Sequence, residues 1–533
     1  MLLLQSQNLA FRYEAMLEPL FSGVGLHFYQ GDKVALLGHN GSGKTTLLKV
    51  LMGELGPTDG EIIRIGSMQI IRQEDQLEGA GTVLEALLSS HTRYAELYLE
   101  MTRLEAEGIP DPLSYADVVA SFSDLGGFDL LTEMTQMVVD LGFSETTLKM
   151  SVAQLSGGER RLLKLMSAFL LPDDLLILDE PSNYLDESAI AFLVKKIQGF
   201  AGACLIVSHD RWFLDQTVTK VLELEHRKVT EYKGDYSTFR DTKEGIFREK
   251  LRKKEKLESE IGKLEQVERS YKVWGARKEK EKSGAADKGF IGARAAKLQK
   301  RGILAKERMH DRIEDLKETK PWIDKQYQIA FEKTQVPSGT CLLLQDLSFA
   351  YDEPLLEHLA LTLEWGERLA LSGSNGSGKS TLIKLMLAEL EPWSGQVMWS
   401  KGVELAYLPQ LWSDPEGLST VAELFTEEES SQARIMLGAL RVKGDLFYAS
   451  FAALSEGQKR KIRLVRLILD KPNVMILDEP TTHLDYESVE MLESALEDYP
   501  GTLILVTHDK YLRERLCDRE LSLTQAGSRA SKV

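Results

Sequence analysis

The sequence predicts an α/β protein made of two copies of one domain, joined by a long α-helical hairpin. Three observations lead there. Four short motifs occur twice in the same order. In each copy they sit at the ends of short apolar runs of strand length, with stretches of helical period between them. Between the copies lies a highly charged segment whose apolar residues recur at helical spacing.

A chain of 533 residues exceeds one hydrophobic core, and its length suggests roughly two to four domains. Apolar residues at 43% and charged residues at 28% are ordinary for a soluble globular protein. No apolar run reaches the length of about 18 residues that a spanning helix needs. The opening MLLLQSQNLAFRYE lacks the basic stretch and apolar core of a signal peptide. Cys204, Cys341 and Cys517 show no paired spacing and read as buried small hydrophobes in a reducing compartment. The expected location is cytoplasmic.

The repeats come next. GHNGSGKTT from Gly38 is answered by GSNGSGKST from Gly373, and LSGGE at Leu155 by LSEGQ at Leu454. LLILDEPSNYLD (Leu175 to Asp186) pairs with VMILDEPTTHLD (Val474 to Asp485), and IVSHD around His209 with LVTHD around His508. Ser156, Asp179 and His209 each recur 299 residues later, whereas Lys44 recurs after 335 and Gln73 after 337. The first copy therefore holds roughly 36–38 extra residues between its Gln and its LSGGE. They fall within 74–154, where AELYLEMTRLEAEGI reads as helix.

VALL (Val34 to Leu37) leads into GHNGSGKTTLLKVLM, the strand, glycine-rich loop and helix that a P-loop needs. Gly38, Gly41 and Gly43 let backbone N–H groups curl around phosphates, and the helix N-terminus adds its positive end. Lys44 reaches the β- and γ-phosphates, and the Thr45 hydroxyl is suited to Mg²⁺. LLILDE is a buried parallel strand ending in two carboxylates. Asp179 is placed to hold Mg²⁺ and Glu180 to polarise the attacking water as general base. Alone, such a run is more often a strand reaching the surface; the P-loop upstream and IVSHD downstream reverse that reading. His209 follows a third apolar strand and is placed to sense the γ-phosphate, although a lone histidine there is also a structural residue.

Taken in order, the P-loop, Gln73, LSGGE, the Asp-Glu strand end, SNYLD and His209 resemble the ATP-binding-cassette superfamily. The second copy repeats them as Lys379, Ser380, Gln410, LSEGQ, Asp478, Glu479, TTHLD and His508. The resemblance covers nearly the whole chain outside its basic middle, and the LSGG-type signature is its specific part. It implies two P-loop NTPase cassettes that hydrolyse ATP to ADP and phosphate with Mg²⁺. ATP would be bound by Gly38, Asn40, Gly41, Gly43, Lys44, Thr45 and Thr46, with Gln73, Ser156, Gly158 and Asp179. The second set is Gly373, Asn375, Gly376, Gly378, Lys379, Ser380 and Thr381, with Gln410, Ser455, Gly457 and Asp478. Mg²⁺ would fall to Thr45, Gln73 and Asp179, and to Ser380, Gln410 and Asp478. Glu180, Glu479, His209 and His508 would be catalytic. Tyr13 and Tyr351 would stack on adenine; a core aromatic at a strand end is the alternative.

The superfamily's cassettes pair head to tail, each ATP lying between one P-loop and the other cassette's signature. Site one would combine Lys44, Gln73, Glu180 and His209 with Ser455 and Gly457; site two would combine Lys379, Gln410, Glu479 and His508 with Ser156 and Gly158. Such pairing within one chain predicts a monomer. Two departures stand out. Glu456 replaces the signature's first glycine, which places a carboxylate near the phosphates of site one. Tyr184 replaces a histidine usual in this type of tandem protein.

The segment from Arg248 to Lys320 holds 23 Lys/Arg against 14 Asp/Glu, while the whole chain is at −17. Leu257, Leu264 and Tyr271 fall seven apart, with Ile261 and Val267 between them; Ala305, Met309, Ile313 and Leu316 follow at four, four and three. That spacing predicts an antiparallel helical hairpin, broken at its turn by Gly284, Gly289 and Gly292. A first helix of about 40 residues would be roughly 60 Å long and would project beyond the ATPase body. The tip, 272–301, holds ten Lys/Arg against three Asp/Glu, interleaved with Trp274 and Phe290. A solvated helical face mixes both signs, as the two legs do. Concentrated cations with flat side chains suit RNA contact, through Lys272, Trp274, Arg277, Lys278, Lys280, Lys282, Lys288, Arg294, Lys297, Lys300 and Arg301.

A tandem cassette chain with a charged helical hairpin resembles the ABC-F family, ATPases that act on the ribosome. YKGDYSTF (Tyr232 to Phe239) also resembles that family before its linker, though it reads equally as a strand and turn. The resemblance implies a first cassette over 1–241, a hairpin over 242–320 and a second cassette over 321–533. It implies binding near the tRNA exit site, with large-subunit rRNA and P-site tRNA as partners. Long linkers in this family accompany antibiotic resistance by ribosome protection; a housekeeping translation factor is the alternative. The tandem ATPase of a membrane importer is a third reading, but it has no need of a basic hairpin.

Overall fold

The computed structural model describes residues 1–79, 81–171, 173–183, 185–282, 308–320, 331, 337–351, 353–410, 418–524 and 527–532. The chain divides into two compact units, Met1–Ser237 with Tyr327–Val533, and Thr238–Gln326.

The first unit contains the same architecture twice. In the first cassette a six-stranded sheet has the order Met68–Ile71, Leu175–Asp179, Ala203–Val207, Lys33–Leu37, Lys220–Glu225, Lys228–Lys233. Its first five strands are parallel and the last is antiparallel. In the second cassette the order is Leu405–Leu408, Val474–Asp478, Thr502–Val506, Arg368–Gly373, Arg519–Thr524, Gly527–Lys532. VALL, LLIL and ACLIV are apolar without alternation because both faces of a parallel sheet are covered. A three-stranded antiparallel sheet accompanies each, ordered Phe21–Tyr29, Leu2–Phe11, Asp59–Arg64 in the first cassette. The helix Lys44–Met52 contributes Leu47, Leu48, Val50 and Leu51 to the core between the two sheets, against Phe21, Phe28, Leu36 and Ile177.

This strand order decides where chemistry can occur. Lys33–Leu37, Ala203–Val207 and Leu175–Asp179 are adjacent and parallel. Their C-terminal ends therefore deliver the P-loop, His209 and Asp179-Glu180 to one edge of the sheet, the usual ligand edge of an open α/β sheet.

The extra residues of the first cassette form two helices, Thr92–Ala106 and Pro112–Asp124, set between Val83–Ser89 and Gly127–Asp140. The bridges Thr82↔Ser151 and Thr420↔Ser450 mark equivalent anchors, and between its own pair the second cassette has one α-helix, Glu427–Ala439. Pro112 follows the cap Asp111, whose side chain accepts from the Leu113 N–H at 3.1 Å. The two helices bury Leu97, Met101, Leu104, Val118 and Phe122 in a core of their own.

The helix Tyr236–Lys282 has 47 residues, which corresponds to about 70 Å. It is longer than the spacing predicted and begins inside the YKGDYSTF stretch, where the Asp215 carboxylate accepts from the Ser237 N–H at 2.7 Å. In the second unit Ile261, Ile313 and Leu316 are buried together, with Leu257 and Leu264 packed on them. Residues 308–318 are helical, and Lys320 and Arg312 reach Glu258 and Glu260 at 2.5 and 3.7 Å. The described part of the second unit thus packs two helical segments, as the apolar spacing expects. Val267 differs: it is exposed, outside the packed seam. The side chain of Tyr271, Ala305 and the glycines 284, 289 and 292 lie outside the described residues.

Phe122→Ala empties the centre of the inserted pair, where the ring approaches Gly127 so closely that a Cβ there would lie 2.5 Å from it. Truncating a buried Phe costs about 3–5 kcal/mol. Amide exchange should show protection lost across 92–124, with the sheet strands around the P-loop unchanged.

Candidate functional site

Both P-loops need glycine for a physical reason. Gly41 and Gly43 have φ of +81° and +105°, and Gly376 and Gly378 have +80° and +97°, conformations that an L side chain disfavours. A Cβ on Gly38 would lie 2.7 Å from the Leu224 carbonyl, and one on Gly373 would lie 2.4 Å from that of Leu523. Lys44 Nζ donates to the carbonyls of Gly38 and His39 at 2.6 and 3.3 Å. Lys379 Nζ repeats this with Gly373 and Ser374 at 2.6 and 3.0 Å. Burial lowers the pKa of both lysines, while nearby Glu180 and Glu479 respectively oppose that shift. Ser42 and Ser377 Oγ are buried with no hydrogen-bond partner among the described residues. A positive, glycine-walled cradle with orphaned hydroxyls fits a polyphosphate.

The carboxylates face this cradle. Glu180 and Glu479 adopt φ of +50° and +49°, rare for a side chain of this size. Their N–H groups donate to Val207 and Val506 at 2.7 and 2.8 Å, which pins each residue to the neighbouring strand. Burial pushes both glutamates up to about 8, and the adjoining Asp179 or Asp478 adds to the shift. Asp478 is raised to about 6, and Asp179 is also raised, by the same loss of water. His209 Nε2 lies 3.4 Å from Glu180 Oε1, and His508 Nε2 lies 3.5 Å from Glu479 Oε1. Burial lowers His209 to about 3 and His508 to about 4, so both rings are neutral at physiological pH. Asp179 and Glu180 line one cavity with Thr45 and Gln73, a hard oxygen donor set that fits Mg²⁺, and Asp478, Ser380 and Gln410 offer the same donor types in the second cassette.

The signature segments organise these groups in a way the motifs alone do not disclose. Ser156 and Ser455 cap the helices Gly157–Ser167 and Glu456–Leu469 through reciprocal bonds with Glu159 and Gln458. One helical turn on, Arg161 donates to the Glu180 carbonyl at 2.8 Å. Arg460 donates to the carbonyls of Pro409 and Gln410 at 2.9 Å, to that of Asp478 at 2.7 Å, and to that of Glu479. It therefore holds the Gln410 loop and the acidic strand end together. Arginine five residues after the signature serine in both cassettes was the available signal.

Contacts across the cassettes are head to tail. The Asn40 N–H donates to Asp485 Oδ2 at 3.1 Å, and its side chain donates to the His483 carbonyl at 3.0 Å. The Asn375 N–H donates to Asp186 Oδ2 at 3.4 Å in the other pairing. Asp186 and Asp485, helix caps at the ends of SNYLD and TTHLD, are thus interface residues that the motif reading missed. A Cβ on Gly457 would lie 3.0 Å from Asn40 Nδ2, so the second signature abuts the first P-loop. A cavity of about 840 Å³ takes in Lys44, Gln73, Glu180 and His209 from one cassette with Ser455 and Gly457 from the other. Gly158, Asn375, Gln410 and His508 open on it too, and Lys379 and Glu479 also face Asp186 across an adjoining cavity of about 280 Å³.

Tyr13 and Tyr351 present exposed rings, each edge-on to a phenylalanine (Phe11, Phe349) at 4.9 Å, so neither is a core residue. The Tyr13 hydroxyl lies 3.0 Å from Thr46 Oγ1. Glu456 lines the larger cavity beside Ser455 and Gly457, as its position in the signature expects. Its side chain is 63% exposed and turns to Lys459 at 3.5 Å, in a first helical turn that favours an acid. Tyr184 lies outside the described residues. Lys272, Trp274, Arg277, Lys278, Lys280 and Lys282 fall on the helix Tyr236–Lys282, whose backbone alone is described there. Lys288, Arg294, Lys297, Lys300 and Arg301 lie outside the described residues.

A family model described as ABC transporter matches residues 21–183 and 356–482, and another of that description matches 222–288. The chain is similar to the putative ATP-binding protein YdiF of Bacillus subtilis (strain 168), 33% identical over 99% of this chain and 80% of the relative. It is 30% identical to the probable ATP-binding protein YbiT of Escherichia coli O157:H7, over 98% of this chain and 96% of the relative. Among solved structures, the archaeal ribosome recycling factor aABCE1, in complex with the ribosomal stalk protein aP1, has a TM-score of 0.56 at 21% identity. That likeness covers 98% of this chain and 89% of the other, and shows the fold. The RNase-L Inhibitor gives 0.56 at 20% identity, over 98% and 90%.

Arg460→Met releases the backbone that carries Gln410 and Glu479. By analogy with outer-sphere partners of metal ligands, turnover at site two should fall roughly 10- to 100-fold. ATPase assays in a Glu180→Gln background, where site two alone turns over, measure it.

Proposed function

We propose that this chain, which belongs to the ATP-binding-cassette family and is a tandem-cassette ATPase, is of the ABC-F type and applies its ATP-driven closure to the ribosome. The observation that carries this is the connection between the cassettes. A helix of 47 residues leads into a stretch, 272–301, with ten Lys/Arg against three Asp/Glu. A clamp with no membrane partner of its own needs a load, and among the described residues no helix is long and apolar enough to cross a membrane. Concentrated cations suit a phosphate-rich partner. The fold is one that a ribosome recycling factor also uses.

In this reading the sites work as follows. The P-loop N–H groups and Lys44 or Lys379 bind the phosphates, Thr46 and Thr381 lying in the first turns of the helices that follow, while Tyr13 and Tyr351 offer their exposed rings to adenine. Thr45, Gln73 and Asp179, or Ser380, Gln410 and Asp478, would hold Mg²⁺, which when bound neutralises phosphate charge. Burial holds Glu180 and Glu479 protonated in the empty site; once bound cationic charge offsets that burial, their carboxylates would accept a proton from the attacking water, with neutral His209 and His508 orienting it beside the γ-phosphate. Ser455 with Gly457, and Ser156 with Gly158, complete each site from the opposite cassette. Closure would be felt at the hairpin, which reaches large-subunit rRNA and P-site tRNA from the tRNA exit site in the cytoplasm. There it protects the peptidyl-transferase centre against drugs. Linker length favours protection over a housekeeping translation role.

Changing Glu180 and Glu479 together to Gln should abolish turnover while ATP still binds, and the protein should sediment with ribosomes when ATP is present and slow growth. Normal turnover in the double variant removes the assignment of the bases; turnover lost without ribosome sedimentation removes the ribosome and leaves the ATPase.

Neutralising Arg277, Lys278, Lys280 and Lys282 should weaken ribosome binding and flatten its salt dependence. Shortening 284–292 should spare binding and ATPase activity but remove protection against large-subunit antibiotics. A susceptible host is tested with and without the gene across a panel of such drugs. An unchanged inhibitory concentration for every drug leaves a translation factor instead.

A further inference from the structure

Two residues after His209, Arg211 leaves its own cassette electrostatically. Its guanidinium is 2% exposed, and its carboxylate partners belong to the other cassette. Nη1 donates to Glu493 Oε2 at 2.5 Å, and Nη2 donates to Asp509 Oδ2 at 3.3 Å. The same guanidinium lies over the Tyr511 ring at 5.8 Å. Asp509 directly follows His508, so one buried cation ties together the two segments that carry the switch histidines.

Both segments are stiff. Asp210 caps the helix Arg211–Thr217 by accepting from the Phe213 N–H at 2.9 Å, and its own N–H donates to Ser208 at 3.1 Å. Asp509 caps Lys510–Leu516 through Leu512 at 3.0 Å, and its N–H donates to Thr507 at 3.0 Å. A displacement of either histidine segment therefore moves a cap, and the cap moves with the bond to Arg211. The contact is also one-sided. The residue 299 positions after Arg211 is Lys510, which pairs with Glu514 of its own helix at 3.9 Å and lies over the Trp212 ring at 5.5 Å. The position equivalent to Glu493 is Val194. A buried guanidinium is stable only while its carboxylates stay in place, so the link responds to small shifts at either end.

We propose that Arg211 is a positioning residue that couples the two ATP sites, transmitting occupancy of one switch segment to the other through Glu493 and Asp509. The coupling acts equally in both directions for binding, as linkage requires. This rests on the assignment of His209 and His508 to the two sites.

The test is equilibrium ATP binding to the full chain carrying Glu180→Gln and Glu479→Gln, which removes turnover. The second ATP should bind more tightly than the first, by roughly tenfold, within the usual range of such couplings. Arg211→Met should bring that ratio to about one, with single-site affinity, read in Lys44→Ala or Lys379→Ala versions, unchanged. Arg211→Lys should restore part of the ratio. Because Arg211→Met takes a shared cation from two buried carboxylates, leaving Glu493 with Arg515 alone, the neutral set Arg211→Met, Glu493→Gln and Asp509→Asn is measured beside it and should behave alike. A retained ratio in the neutral set overturns the proposal. So does a loss of ratio accompanied by an equal loss of single-site affinity, which marks a merely structural residue. Should Lys44→Ala and Lys379→Ala each still bind two ATP, the site assignment fails instead, independently of Arg211.

Discussion

Each cassette holds two consecutive carboxylates out of water at the end of a central strand, and much of the molecule is arranged around the cost of doing so. Burial raises the pKa of Asp179, Glu180, Asp478 and Glu479, and charged groups gather to oppose it. Lys44 and Lys379 approach from the P-loops, and Arg460 takes the backbone carbonyls behind the second pair. The left-handed φ at Glu180 and Glu479 is held by a bond to the adjacent strand. A cluster that costs this much in isolation is relieved by a bound cation and a polyphosphate. The site is thus unfavourable by construction until its ligands arrive.

The same constraint explains why the cassettes share a fold and yet meet through different residues. The sheet edge must carry three loops in register, so strand order and the motifs at strand ends are duplicated faithfully. The rest of the joint between the cassettes carries no such requirement. There Arg211 stands opposite Lys510, Tyr486 donates to Glu223 at 2.8 Å, and Tyr511 donates to Asp215 at 2.7 Å, contacts whose equivalents use other side chains. Two nearly identical sites are therefore joined through unlike side chains. The inserted helices of the first cassette belong to the same pattern, since they add their own small core without disturbing the anchors Thr82 and Ser151.

Much was legible in the sequence because the chemistry is local. A P-loop is nine consecutive residues whose glycines answer backbone geometry at their own positions, as the φ values of Gly41 and Gly43 show. Continuous apolar runs such as LLIL report a doubly covered parallel strand wherever they occur. The seam of Leu257, Ile261 and Leu264 against Ile313 and Leu316 also followed from period alone. Val267 broke that pattern, because periodicity states which residues share a face but not how far the partner helix covers it.

What the sequence by itself determined was therefore the duplicated cassette, its strand–loop–helix units and the identity of the residues at each phosphate-facing loop. Tertiary structure alone decided how those residues are coupled: that Asp485 bonds to Asn40, that Arg460 holds the Gln410 and Glu479 backbones together, that Arg211 is buried between Glu493 and Asp509, and that Glu456 turns to Lys459. The reason is one of range. Motif geometry is set by neighbours along the chain, whereas a desolvated charge is defined by partners hundreds of residues away, and nothing in the local sequence of Arg211 states which carboxylates will close over it.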